Sequence, residues 1–469
     1  MEALGASSVP SFHIRTTLDK TKLRKPMFLN FHFNQIPSLS FSLFHRKQSK
    51  FKVRNLIGIH NGALLCQSLT WTRGGHMQKR CPHRLAPLSD ERIDNWGRLQ
   101  CAYHGWCFNG SGNCKFIPQA PPNGPKVHAA KKACVAAYPS TVQNNIVWFW
   151  QNSDPRYKDI LVEKKPPYIP EIDDPSYTNL MGNRDIHNGY EVLIENLMDP
   201  AHVPYAHHGV KEILPSKNTK ADREGCTPIE FKIEKLNGNG FNIVQFQEWS
   251  RCTFIAPYLV YASLKPEDQA NGSESSAGTR KDTSVQKEFF FKNFCIPVSP
   301  GSSRLIWSFS RNYGHWINKV VPQWIFHMEQ NLVIDSDLYL LHIEVTPISL
   351  CGKWLNKYAG GQFDWRGKYS GVLPPTPPRE QLMDRYWSHL VNCTSCSAVY
   401  KGFNVLEVVL RVVSVASIAI VVAAKQGTIS AVVRTTMVLM SVLFYASSRW
   451  LARFIYRNFH YQDYDHAFH

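Results

Sequence analysis

The apolar positions fall into two regimes. Between about residues 55 and 390 they come in short runs separated by turn residues, and after residue 400 they become nearly continuous. In the first regime, residues 134–138 and 145–150 are short apolar runs of the kind that form strands. Residues 287–294 and 304–310 repeat the pattern further on. Two stretches carry helical spacing instead, one within residues 191–209 and one from about 323 to 342. Residues 164–170 contain two adjacent prolines and predict an extended linker. Residues 268–282, rich in Gly, Ser and charged side chains, predict a surface loop.

The second regime predicts a hairpin of two membrane-spanning helices. Residues 403–424 would form a helix about 33 Å long, enough to cross a bilayer core, and residues 428–447 a second of similar length. Lys425, Gln426 and Gly427 make a short connection. Glu407, Arg411 and Arg434 are unusual in such runs; Glu407 and Arg411 stand i,i+4 and are placed to pair. Lys401 precedes the hairpin, and Arg449, Arg453 and Arg457 follow its second run, so both ends are expected on one side. The alternative, a buried helical pair in a soluble domain, is disfavoured by the unbroken apolar run at 412–424.

Composition adds bounds. The 469 residues accommodate two or three domains with cores of their own. The net charge of +17 is not gathered into a patch of the kind that binds nucleic acid, and part of it sits at the N-terminus. Residues 1–50 are rich in Ser and Thr and hold eight Lys or Arg against two acids, Glu2 and Asp19. They lack the single apolar block of a secretory signal and predict an organellar transit peptide, chloroplastic in preference to mitochondrial. The twelve cysteines follow no secreted framework, so most are expected as thiols.

Candidate chemistry begins at Cys81-Pro-His83, followed after 17 intervening residues by Cys101-Ala-Tyr-His104. Each half contributes one Cys and one His. A 2Fe–2S cluster held by two thiolates and two neutral imidazoles is a Rieske centre, and the exchange of thiolate for imidazole makes it accept an electron more readily. A Cys2His2 zinc site uses the same donors but usually keeps like ligands together. Cys107 and Cys114 lie near but at unsuitable spacing, and read as small buried thiols.

A second set follows: Asn196-x-x-Asp199-x-x-His202-x4-His207. With a carboxylate, two histidines form the 2-His-1-carboxylate site of non-haem ferrous iron, which leaves positions open. Glu195, Asp199 and His202 recur at helical spacing and would share one face. His202 and His207 are about 140° apart on an ideal helix. They meet at one ion only if the helix breaks between them, for which Pro204 supplies a reason, with Gly209 ending the segment. His208 is the rival to His207.

These residues resemble the Rieske non-haem iron oxygenases. Cys393-Thr-Ser-Cys396 just before the hairpin resembles the tail of their plant pheophorbide a oxygenase and inner-envelope translocon subgroup, as do residues 354–365 and 459–468. The resemblance implies an α+β chain: a Rieske β-domain at 55–160, then a catalytic antiparallel sheet with helices, helix-grip-like, at 175–390, then the transmembrane hairpin. It implies iron ligation by His202 and His207, with a third ligand from the 323–342 helix. Asp337, followed by Leu-Tyr-Leu-Leu-His, fits that pattern better than Asp335. Asp199 would bridge a Rieske histidine of one subunit to an iron-ligating histidine of the next, in a head-to-tail homotrimer. The resemblance further implies a ferredoxin electron donor and a chlorophyll-type tetrapyrrole substrate such as protochlorophyllide. The setting would be the chloroplast inner envelope membrane, with the catalytic domains facing the stroma. Cys393 and Cys396 would be a redox switch, with thioredoxin as partner. A non-catalytic redox-sensing subunit of an envelope translocon is the alternative. Residues 55–80 and 343–353 depart from the family pattern, so an incomplete β-scaffold ahead of Cys81 is expected.

Overall fold

The computed structural model describes residues 56–58, 69–72, 75–78, 80–88, 92–124, 131–150, 152–207, 210, 231–245, 250–264, 287–343, 350–358, 375–425 and 427–464. The predicted transit peptide, the 268–282 loop, His208 and Gly209 lie outside the described residues.

The N-terminal part is built of short strands: β1 (Leu56–Gly58), β2 (Leu69–Thr72), β3 (Gly75–Gln78), β4 (Arg92–Ile93), β5 (Leu99–Gln100), β6 (Cys107–Phe108), β7 (Cys114–Phe116), β8 (Ala137–Tyr138), β9 (Ser140–Gln143) and β10 (Ile146–Phe149). They form three small sheets, ordered β1-β10-β9, β2-β3-β8 and β4-β5-β6-β7. The segment that departs from the family pattern thus supplies three strands. β1 pairs in parallel with β10, and β2 and β3 make a hairpin closed against β8. The apolar run at 145–150 is buried almost throughout and carries Trp148 into a cluster with Phe294 of the next sheet and Tyr258 in one of its turns.

Short helices α1 (Ile160–Glu163) and α2 (Pro170–Asp173) flank the linker. A seven-stranded antiparallel sheet follows, made of β11 (Thr178–Ile186), β12 (Phe231–Asn237), β13 (Gly240–Gln245), β14 (Ser250–Ile255), β15 (Leu259–Leu264), β16 (Phe289–Ser299) and β17 (Ser302–Arg311), ordered β11-β17-β16-β15-β14-β13-β12. Helices α3 (Tyr190–Met198), α4 (Val203–Ala206), α5 (His315–Val320), α6 (Gln323–Ile343), α7 (Leu350–Tyr358) and α8 (Arg379–Leu382) complete this part. One core joins α3, α6 and α7 to the sheet through Leu193, Ile194, Leu338, Trp354, Phe254 and Trp307. Gly182 on β11 is required by that packing, because a Cβ there would stand 2.2 Å from the Trp307 ring.

The hairpin helices are longer than their apolar runs: α9 spans Thr394–Ala423 and α10 spans Ala431–Phe459. Packing explains the extra turns. Cys396 on α9 and Leu451, Ile455 and Phe459 on α10 are buried in a cluster with Trp324 and Met328 of α6, ahead of the predicted span. Beyond it the usual arrangement inverts. Val405, Val412, Val415, Val422, Val432 and Leu443 are exposed, while Glu407, Ser414, Ser441 and Ser448 are buried between the helices. Ser414 and Ser441 hydroxyls each donate to the other's carbonyl, at 2.9 and 2.8 Å, and Glu407 pairs with Arg411 as its spacing predicts. Small polar residues inside and apolar ones outside suit helices packed in lipid.

Candidate iron centres

Two loops of one design carry the first ligand set. Cys81 N–H donates to Ala86 O (2.8 Å) and Leu85 N–H to Cys81 O (2.9 Å). Cys101 N–H donates to Trp106 O (2.8 Å) and Gly105 N–H to Cys101 O (2.8 Å). Equivalent positions take equivalent backbones: Gly105 has φ +74° and Leu85 φ +57°. Cys81 and Cys101 are buried in a cluster with Leu88, Leu99 and Phe108, while His83 is exposed and His104 half-exposed, their ring centroids 4.5 Å apart. Trp106 stacks on His83 at 4.8 Å. Desolvation, with His83 and Arg84 nearby, lowers the pKa of His104 and favours the neutral imidazole that ligation needs. Cys107 and Cys114 are fully buried and donate to the carbonyls of Gly105 and Phe116; burial pushes the Cys114 thiol up to about 11.

The left-handed backbone yields a pair of opposite predictions. A non-glycine residue in that region bears roughly 1–2 kcal/mol of strain, and the exposed Leu85 side chain has little packing to lose. Leu85→Gly is expected to raise the temperature at which the cluster's visible absorbance bleaches. Gly105→Ala is expected to lower it, since its Cβ would also stand 2.9 Å from Pro118 Cγ.

The second set converges from α4 and α6. Donor atoms of His202, His207 and Asp337 all lie within 4.8 Å of one another. His202 Nε2 is 3.9 Å from Asp337 Oδ1, and His207 Nε2 is 3.7 Å from Asp337 Oδ2. These gaps exceed hydrogen-bond length and suit three ligands around one ion. The local fold corrects one expectation. The helix breaks before His202, not between the two histidines: α3 ends at Met198, and Asp199, preceding Pro200, is extended (φ −96°, ψ 108°). Proline excludes helical backbone at the residue before it. His202 and His207 then bracket the single turn of α4, which has a proline in its first turn.

Neighbouring groups orient these three side chains. Asn196 Nδ2 donates to Asp337 Oδ2 at 3.1 Å. Ser336 Oγ donates to Val333 O at 2.6 Å, so its oxygen is left to accept from His207 Nδ1, 2.7 Å away. That contact places the His207 proton on Nδ1 and turns the Nε2 lone pair toward Asp337. Burial raises the Asp337 carboxyl to about 6, against the lowering effects of His202 and Asn196. Asp199 lies 3.7 Å from His202 Nδ1 with its side chain 51% exposed, and the His202 ring holds its pKa below the usual range. Glu195 does not face the site; it accepts from the Cys351 amide. Ser336→Ala, which frees His207 to rotate and change tautomer, is expected to weaken ferrous iron affinity about 10–100-fold, as second-layer losses at metal sites do; titration of the apo site would measure it.

The runner-up carboxylate is engaged elsewhere. Asp335, two residues from Asp337 and so about 200° around the helix, is fully buried between Arg184 (2.5 Å) and Arg385 (2.7 Å). Cys393 and Cys396 are buried at the start of α9, beside His327 and His389.

Residues 73–139 match the Rieske [2Fe-2S] domain family, and residues 254–352 match the pheophorbide a oxygenase family. The chain is 51% identical to the protochlorophyllide-dependent translocon component 52 of Arabidopsis thaliana, over 83% of this chain and 78% of that one. It is 48% identical to flavonoid 8-hydroxylase 2 of Ocimum basilicum (83% and 77% covered). It is 32% identical to the pheophorbide a oxygenase of Oryza sativa subsp. japonica (72% and 68% covered). All three are chloroplastic. The chain belongs to the Rieske non-haem iron oxygenases of the pheophorbide a oxygenase type. Membership brings a 2Fe–2S cluster and a mononuclear iron. Two Cys and two His on paired loops fit the cluster in number and type, and the convergent donors of His202, His207 and Asp337 fit the iron.

Proposed function

We propose that this chain is a chloroplast inner-envelope oxygenase that hydroxylates a C–H position of a chlorophyll-type tetrapyrrole, protochlorophyllide or a relative, with electrons from ferredoxin. The convergence of His202, His207 and Asp337 downstream of two matched Cys/His loops carries the reading. Cys81, His83, Cys101 and His104 would hold the cluster; His202, His207 and Asp337 would hold the iron. When bound, the cluster supplies single electrons and the iron supplies dioxygen activation.

The chain's own residues do the rest. Asn196 fixes the Asp337 carboxylate, and Ser336 fixes the His207 tautomer. Asp199, half-exposed beside His202, is placed to accept a hydrogen bond from a cluster histidine of a neighbouring subunit, as a head-to-tail trimer requires. The apolar outer faces of α9 and α10 anchor the chain in a membrane, with the catalytic part on the stromal side. A membrane-held site suits an apolar ring substrate. The likeness to a flavonoid hydroxylase favours a flavonoid as the second candidate.

The test is turnover by the full chain in detergent, with ferredoxin, its reductase, NADPH and 18O-labelled dioxygen. Protochlorophyllide, pheophorbide a and a flavone are offered separately. The account expects a labelled hydroxylated tetrapyrrole, absent with His202→Ala. Product from the flavone alone would move the substrate assignment. No product from any of them, with the cluster and the mononuclear iron both present, would favour the non-catalytic redox-sensing subunit.

A further inference from the structure

A second cluster of metal-type donors stands apart from both iron centres. His327 on α6, His389 in the segment before α9, and Cys393 and Cys396 at the start of α9 bring one donor atom each to within 4.8 Å of one another. Each is at least nine-tenths buried, at 2%, 3%, 9% and 2% exposure. His327 Nδ1 is 3.2 Å from Cys393 Sγ and 3.5 Å from Cys396 Sγ, and His389 Nε2 is 3.3 Å from Cys396 Sγ. Tetrahedral zinc, with bonds of about 2.3 Å to sulfur and about 2.0–2.1 Å to nitrogen, holds such donors roughly 3.5 Å apart.

The far side of each imidazole settles which nitrogen faces the thiols. His327 Nε2 lies 2.9 Å from Met181 O, and His389 Nδ1 lies 2.6 Å from Asn183 O. A carbonyl only accepts, so both of those nitrogens carry the proton. The inward nitrogens, His327 Nδ1 and His389 Nε2, are therefore lone pairs aimed at two sulfurs. Both carbonyls belong to β11, the edge strand of the large sheet. A backbone carbonyl behind each histidine is the usual support of a metal-ligating imidazole. Trp307 backs the pair, its ring 6.0 Å from His389 and 6.2 Å from His327.

We propose that His327, His389, Cys393 and Cys396 form a closed, structural zinc site. It ties the start of the membrane hairpin to α6 and to the edge of the catalytic sheet. Four protein donors leave no position for substrate or water, which marks a structural site and not a catalytic one. The dithiol is then a metal-bound thiolate pair in the resting protein, not a freely accessible switch. This inference does not depend on the oxygenase reading.

The test uses the full chain in detergent, with His202→Ala as background so that zinc at the iron site is not counted. Metal analysis is expected to give about one zinc per chain, lost in the added double variant Cys393→Ser/Cys396→Ser while the Rieske absorbance is retained. Should the double variant fail to fold, cobalt exchange into the parent protein decides. A tetrahedral cobalt–thiolate spectrum is expected. Zinc-free protein whose Cys393 and Cys396 are recovered as a disulfide, or as free thiols that give no cobalt spectrum, overturns the proposal. So does zinc that persists in the double variant.

Discussion

Asp337→Ala is expected to abolish hydroxylation and empty the mononuclear iron site, while the Rieske EPR signal keeps its full intensity. Asp337 is the carboxylate common to both histidines, at 3.9 and 3.7 Å, and its removal leaves two neutral imidazoles to hold a ferrous ion alone. The buried carboxyl also sets a pH dependence. Its folded-state pKa is raised to about 6, so a proton competes with iron from that pH downward. Iron retention should therefore fall as pH drops through about 6, not through the ordinary carboxyl range. The apo chain should respond in the opposite sense. A raised acid pKa contributes stability that is present below the unfolded value and is lost as pH rises through the folded one. Iron that stays bound at pH 5 with unchanged affinity would contradict Asp337 as a ligand.

Asp335→Ala should act on stability instead. Its carboxylate is the shared counter-charge of Arg184 and Arg385, all three fully or almost fully buried. Arg385 also donates to the carbonyls of Arg457 and Asn458 at the end of α10, and Arg184 to Asn331 O. Removing one partner of a buried charge pair costs about 3–5 kcal/mol, because the other is left charged without compensation. Here two guanidiniums are left. At roughly 2–4 °C per kcal/mol for a domain of this size, the thermal midpoint should fall on the order of 10 °C. A fall of about a degree or less, measured by circular dichroism in detergent, would show that the arginines find other partners.

The two aspartates mark where sequence reading stops. They sit two residues apart on one helix, and only the distant Arg184 and Arg385 decide that Asp335 faces a buried charge cluster and Asp337 faces His202 and His207. The cluster loops were legible because each Cys/His pair closes its own turn within six residues. The two long C-terminal helices were legible because their apolar runs are long enough to cross a membrane, although their true ends depend on packing against Trp324 and Met328. The helix break was misplaced at Pro204 when Pro200 governed it, through the extended backbone it forces on Asp199. Ser336 belongs to no spaced motif, and a hydroxyl on a helix face carries no spacing signal. His327 and His389 were invisible as partners of Cys393 and Cys396, since the folded edge of β11 alone brings them together.

The central claim is that one chain holds a Rieske cluster and a separate ferrous site with open positions. EPR of the dithionite-reduced full chain, recorded before and after nitric oxide addition, tests both at once without assuming a substrate. The account predicts a Rieske signal in each spectrum and, after nitric oxide, a high-spin ferrous–nitrosyl signal that is absent from Asp337→Ala. A reduced protein lacking the Rieske signal, or one whose nitrosyl signal survives loss of Asp337, would contradict it.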